Sequence, residues 1–179
     1  FKELGLGLSS LHEEFDSIRS VQRAEAIFVG GGNTFRLLRL MYRYRVAREI
    51  RSRVLGGMPY LGSSAGSNVA CPTICTTNDM PIVQLGTFNA LDLVPFQINP
   101  HYLDPDPNSR HMGETRETRI KEFHEENDTP VIGLREGSWL HVEDNEVILE
   151  GKTGARIFIK RVDPFDIAAG SIRSALRLQ

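Results

Sequence analysis

Met58-Pro59-Tyr60-Leu61-Gly62-Ser63-Ser64-Ala65-Gly66 runs a short apolar segment straight into a pair of serines framed by glycines. The pattern reads as a nucleophile elbow, in which a strand turns sharply into a helix and exposes a serine hydroxyl at the bend. Glycines two positions before and after that serine leave room where neighbouring backbone crowds the turn. Only Ser64 has the flanking pair, Gly62 and Gly66, because Ser63 has Ala65 two positions on. Ser64 is therefore the candidate attacking group. Gly-Ser-rich turns are common, so the pentapeptide taken alone is equally well a plain turn.

Outward from the elbow, helical and strand patterns alternate, which points to an α/β fold with a mostly parallel sheet. Upstream, Phe15, Ile18 and Val21 recur at helical spacing, and Ala26-Ile27-Phe28-Val29 forms a short apolar strand running into Gly30-Gly31-Gly32. Asn33 or Thr34 caps a helix carrying Phe35, Leu37, Leu38 and Met41, and a second helix over Val46 to Leu55 stops at Gly56-Gly57. Downstream, a helix begins at Ser67, the loop Thr76 to Pro81 precedes Ile82-Val83, and Phe96-Gln97-Ile98-Asn99 leads into Pro100-His101. Asp104 to Asn108 reads as a loop, Glu114 to Glu126 as a charged helix, and Val131 to Leu134 as a buried strand ending near Arg135-Glu136. From 138 to 160 the pattern changes to antiparallel hairpin strands closing one edge: Trp139 to Val142, Val147 to Leu149 and Ile157 to Ile159, with a turn at Asp144-Asn145. Ile172, Leu176 and Leu178 suggest a helix in the tail from Pro164 to Gln179.

The chain has 179 residues, 40% hydrophobic and 25% charged, which suits one globular domain with a substantial core. A net charge of −2 argues against a broad surface for nucleic acid, so a charged substrate must be recognised by a few local residues. No run approaches a membrane span. Cys71 and Cys75 do not resemble a disulfide framework and fit a reducing, cytoplasmic setting. The chain opens on Phe1 with no signal-peptide pattern.

In an open parallel sheet the carboxyl ends of the strands form the ligand crevice, and here they present Gly30 to Gly32, Ser64, His101 and Glu136. These are the parts of a serine hydrolase. Serine needs a base to take its proton, and His101 directly follows a buried-strand pattern. A carboxylate must orient that base, for which Glu136 and Asp79 are the candidates. Amides of Ala65 and of Gly31 or Gly32 suit an oxyanion hole. Each residue also has a plainer reading. The triple glycine, which lacks a P-loop lysine, can be a tight turn; His101 can be a histidine bonded to a carbonyl; Glu136 can face solvent; Asp79 can anchor its own loop. Arg116 and Arg119 read as a solvated helix face, and the two cysteines as small buried residues. Their coincidence at strand ends favours chemistry.

Several ordered stretches resemble peptidase E, the α-aspartyl dipeptidase family. They are Val29 to Phe35, Gly62 to Gly66 continuing through Asn68 to Ile74, Thr76 to Val83 and Ile98 to His101, with Gly113 to Arg116 and Gly133 to Trp139 in further agreement. The resemblance extends over roughly residues 10 to 150. It implies a serine peptidase of the class I glutamine amidotransferase-like fold, three-layered, with serine in place of the elbow cysteine and no metal or cofactor. The implied substrates are small acidic dipeptides of the form Asp-Xaa, cleaved by a triad of Ser64, His101 and Glu136. Asp79, in the Asn-Asp-Met-Pro loop, is implied to support the site or hold substrate. Arg116 is implied to receive the aspartyl carboxylate, with Arg119 second, since a guanidinium engages a carboxylate by two hydrogen bonds. The expected protein is cytoplasmic, a monomer or homodimer, with no nucleic-acid or membrane partner.

Two departures accompany the resemblance. Familiar bacterial members carry arginine where Cys75 stands, and members place a strand and helix before the position of Phe1, whose lack would expose apolar surface. Two other functions remain open. A cyanophycinase-like hydrolase of β-aspartyl linkages would need acidic substrate contacts, which Arg116 disfavours. An inactive module binding acidic peptides would not need Ser64, His101 and Glu136 together.

Overall fold

In the computed structural model, which describes residues 1–106, 108 and 113–178, the amphipathic segments upstream of the elbow form a layer of three helices. Helix α1 spans Ser17–Arg23, α2 Thr34–Arg43 and α3 Val46–Leu55. Asp16 caps α1 by accepting from the Arg19 amide, so the helix starts two residues after Phe15, which is fully exposed rather than on the helix's apolar face. Asn33, not Thr34, caps α2, through the Arg36 amide. These helices pack with the parallel strands β1 (Ile27–Val29) and β2 (Tyr60–Gly62) around Val21, Ile27, Val29, Leu38 and Ile50. Burying Ile27 and Val29 is worth about 1.5–3 kcal/mol each, against about 0.5–1.5 kcal/mol for a ladder hydrogen bond, so burial sets the face this short strand turns inward. The cross-strand pair Phe28 and Leu61 lies on the other face, and both are half exposed.

Helix α4, Ala65–Ala70, starts at Ala65 rather than at Ser67, since Ser64 itself occupies the cap position. Strand β3 (Gln97–Pro100) pairs in parallel with β4 (Val131–Leu134), and α5 (Arg116–Glu126) joins them. The charged helix thus begins at Arg116, capped by the Thr115 hydroxyl, rather than at Glu114. Pro107, within the stretch read as a loop over 104 to 108, lies outside the described residues, as does Gln179.

The strands do not form one mostly parallel sheet. Among the described residues, parallel pairing is confined to β1 with β2 and β3 with β4. The free edge of β3 is closed by side chains instead of by β2. The Ile98 carbonyl accepts from Asn68 Nδ2 at 2.9 Å and Thr76 Oγ1 at 3.1 Å, the Ile98 amide donates to Cys71 Sγ at 3.2 Å, and the Pro100 carbonyl accepts from Asn78 Nδ2 at 2.9 Å. An edge whose polar groups are satisfied this way has no ladder bonds left to offer.

Strands β5 (Ser138–Glu143) and β6 (Glu146–Gly151) form the expected hairpin across Asp144 and Asn145. Strand β7 (Ala155–Ile159) pairs antiparallel with β4, and β8 (Val162–Ile167) extends that sheet to the order β3-β4-β7-β8. The tail is therefore not a helix: after β8, β9 (Gly170–Ser171) pairs with β6, and a single 3-10 turn at Ser174–Leu176 follows. Its apolar residues Ile172 and Leu176 are buried with Ile98, Ile132, Leu149 and Ile157, which packs the β5-β6-β9 sheet onto the four-stranded one.

Candidate active site

The residues at the ends of β2 and β3 both have unusual backbones. Ser64 has φ 55° and ψ −111°, and His101 has φ 55°. Left-handed φ is strained for a residue with a side chain and persists only where the surroundings enforce it. At the elbow the enforcement is steric. A Cβ on Gly66 would stand 2.0 Å from the Val29 carbonyl oxygen, and one on Gly62 would stand 2.7 Å from the Gly66 carbonyl oxygen. The Tyr60 hydroxyl donates to that same Gly66 carbonyl at 2.7 Å.

The glycine loop after β1 lies against the serine. A Cβ on Gly31 would be 3.4 Å from Ser64 Cβ and 3.7 Å from Ser64 Oγ. The amides of Gly31 and Gly32 donate to no backbone acceptor among the described residues. Ala65 opens α4, so its amide has no acceptor within its helix.

Strand pairing brings His101 and Glu136 together. Pro100 is in register with Leu134, which puts the first residue after β3 beside the second residue after β4. His101 Nδ1 and Glu136 Oε1 are hydrogen-bonded. The turn carrying Glu136 is clamped to the β6–β7 turn: Thr153 Oγ1 donates to the Glu136 carbonyl at 2.5 Å, and the Lys152 amide to the Gly137 carbonyl at 3.1 Å. Ser64, His101 and Glu136 line one cleft of about 930 Å³.

Among the described residues, the side chain of Asp79 is hydrogen-bonded to Thr34 and not to His101. Its Oδ2 accepts from the Thr34 amide at 2.7 Å and from the Thr34 hydroxyl at 2.6 Å, while Asn33 Nδ2 donates to the Met80 carbonyl at 2.9 Å. The Asn-Asp-Met-Pro loop is thereby fastened to the start of α2, directly behind the glycine loop. Thr34, wholly buried, is the partner that sequence reasoning missed; a threonine next to a capping asparagine carries no signal of a contact 45 residues away.

Arg116 is half buried at the start of α5 and is in no close ion pair among the described residues, whereas Arg119 pairs with Glu114 at 3.5 Å. Burial, and then the charge of Arg119, lower the Arg116 pKa from its ordinary value, while the Asp79 charge acts the other way. Cys75 is exposed and Cys71 buried. No helix among the described residues is long and apolar enough to cross a membrane.

A strand-end serine with a hydrogen-bonded His-Glu pair in the same cleft, on parallel strands flanked by helices, defines the α/β serine hydrolases as a class. Comparison with known proteins narrows this. The chain belongs to Peptidase family S51, whose family model matches residues 1–150. It is 53% identical over 174 residues to "Peptidase E" of Streptomyces coelicolor, a match covering 97% of this chain and 72% of that protein. It is 51% identical over 155 residues to a Drosophila melanogaster protein named "Probable alpha-aspartyl dipeptidase", covering 86% of this chain and 65% of the relative. The chain thus spans about two thirds to three quarters of these relatives. Among solved structures, a peptidase from an acI-B1 Actinobacterium matches with a TM-score of 0.60 at 17% identity, over 86% of this chain and 60% of that one, which is a likeness of fold.

Proposed function

We propose that the protein hydrolyses dipeptides with an N-terminal aspartate, Asp-Xaa, through an acyl-enzyme on Ser64. Ser64 Oγ attacks the aspartyl carbonyl carbon as its proton passes to His101 Nε2, the nitrogen left free by the Glu136 bond. The amides of Ala65 and of Gly31 or Gly32 bind the developing oxyanion. The C–N bond then breaks, His101 returns the proton to the leaving amine, and water, deprotonated by His101, releases aspartate and restores Ser64. Arg116 receives the aspartyl carboxylate, and Asp79 supports the site by fixing Thr34 and the glycine loop behind the serine. The observation that carries the reading is the His101–Glu136 hydrogen bond in the cleft that holds Ser64.

On this reading the chain is one α/β peptidase domain of the three-layer, class I glutamine amidotransferase-like kind, requiring no metal or cofactor. It acts in the cytoplasm on small dipeptides as a monomer or homodimer, without nucleic acid or membrane; free cysteines and a net charge of −2 support this setting.

The test is to incubate the purified protein and its Ser64→Ala variant with α-Asp-Leu, β-Asp-Leu and Ala-Leu and to follow free leucine by mass spectrometry. Release from α-Asp-Leu alone, abolished in the variant, is expected. In an Arg116→Ala variant the preference for α-Asp-Leu over Ala-Leu should fall by about tenfold or more, the scale of a charge-assisted hydrogen bond. Cleavage of β-Asp-Leu would instead indicate an isopeptidase, and binding of α-Asp-Leu without turnover a binding module.

A further inference from the structure

We propose that Trp139 walls a subsite for the side chain of the leaving residue and selects large apolar residues over small or acidic ones; this rests on the Asp-Xaa reading above. The chemistry orients the substrate. The acyl half must lie against Ser64 and the glycine loop, whereas the departing amine must meet His101, so the leaving residue extends on the side of His101 and Glu136. That side runs into β5, which begins two residues after Glu136 and pairs with β6 along one edge only. The same cleft that holds Ser64 and Glu136 continues along β5, where its lining includes Trp139, 54% exposed, and Val142, 38% exposed, and it also includes Leu55, 59% exposed. Tryptophan is ordinarily well buried, so a half-exposed one lining the catalytic cleft leaves an apolar surface that the fold itself does not cover. Farther along β5, Glu143 and Asp144 line the cleft and would repel an acidic leaving residue. The clamp from Thr153 and Lys152 onto the 136–137 turn fixes the backbone that leads into β5 and Trp139.

Trp139 is the sole tryptophan of the chain, so its fluorescence reports the subsite directly. The experiment compares kcat/KM for Asp-Leu, Asp-Ala and Asp-Asp in the parent, Trp139→Ala and Trp139→Phe, and titrates the tryptophan emission of Ser64→Ala with Asp-Leu and Asp-Ala. The parent should favour Asp-Leu over Asp-Ala by about tenfold and over Asp-Asp by more. Trp139→Ala should bring the Asp-Leu to Asp-Ala ratio of kcat/KM near one, and Trp139→Phe should keep most of the parent's preference. Emission should shift saturably with Asp-Leu at lower concentration than with Asp-Ala. Turnover with a ratio that Trp139→Ala leaves intact and a silent tryptophan would overturn the subsite while sparing the activity. Absence of turnover together with a saturable shift on Asp-Leu would overturn the activity and support the subsite. Absence of both would overturn both.

Discussion

Ser64 is held in a backbone state that costs about 1–3 kcal/mol, and the neighbours that enforce it are nearly all backbone. The Val29 carbonyl leaves no space at Gly66, so Gly66→Ala must push β1 away from α4 or straighten the elbow. We expect this variant to lose about 3 kcal/mol in urea denaturation, as over-packed sites do, and to lose turnover of Asp-Leu with it. A variant with the parent's denaturation midpoint would contradict the steric account of the elbow. The glycine frame that selects Ser64 over Ser63 is visible in the chain because it is a contact between residues two apart. The role of Asp79 is not. Near-neighbour patterns do not say which group that carboxylate meets, and only the packing of the 76–81 segment onto α2 brings it within hydrogen-bond reach of Thr34.

Among the elements, β3 has the least expected environment. Its outer edge is satisfied by Asn68, Thr76, Cys71 and Asn78, a mixture of helix and loop side chains that replaces a neighbouring strand. The two cysteines consequently differ in exposure. Burial pushes the Cys71 thiol up to about 12, against a smaller opposing effect of the Ile98 amide, while Cys75 is exposed. Thiolate is the reacting species, so iodoacetamide at pH 8 should label the native protein once, at Cys75, and Cys71 only in denaturant. Peptide mapping reads the outcome; prompt labelling of native Cys71 would show that the β3 edge opens. Helices and strands with clear periodicity were legible in the chain, α2, α3, β1 and β4 among them. The tail was misread because Ile172 and Leu176 have helix-like spacing yet meet the core from a strand end and a 3-10 turn. Spacing alone does not distinguish these.

Across the whole molecule, a relay of charges braces the ends of β3 and β4. Arg135, next to Glu136, donates to Asp104 through Nε at 2.8 Å and Nη2 at 2.7 Å, and to Asp166 on β8 at 2.5 Å; Arg156 on β7 bridges Asp166 and Glu117 of α5, each at 3.2 Å. Single exposed pairs contribute little, but this network joins α5, β7 and β8 to the loops that follow β3 and β4. The hydrogen bonds from Arg135 hold Asp104 below the usual carboxylate range. A carboxyl depressed in the folded state adds stability above its unfolded value of about 3.9, and that contribution is lost as pH falls through the folded value. The melting temperature of Asp104→Asn should therefore lie below the parent's at pH 7, with the gap closing below pH about 4. A gap that stays constant to pH 2 would show that the pair does not stabilise the fold. By itself the sequence determined the elbow, most helix and strand segments and the residue types of the site, because glycine frames, caps and hydrophobic periodicity act between near neighbours. Tertiary structure alone decided that Asp79 meets Thr34 and that β3 is closed by side chains, and it brought together His101 and Glu136, which the residues by themselves left open against Asp79. Those pairings follow from which segments become neighbours, and that choice belongs to the free energy of the whole packed chain.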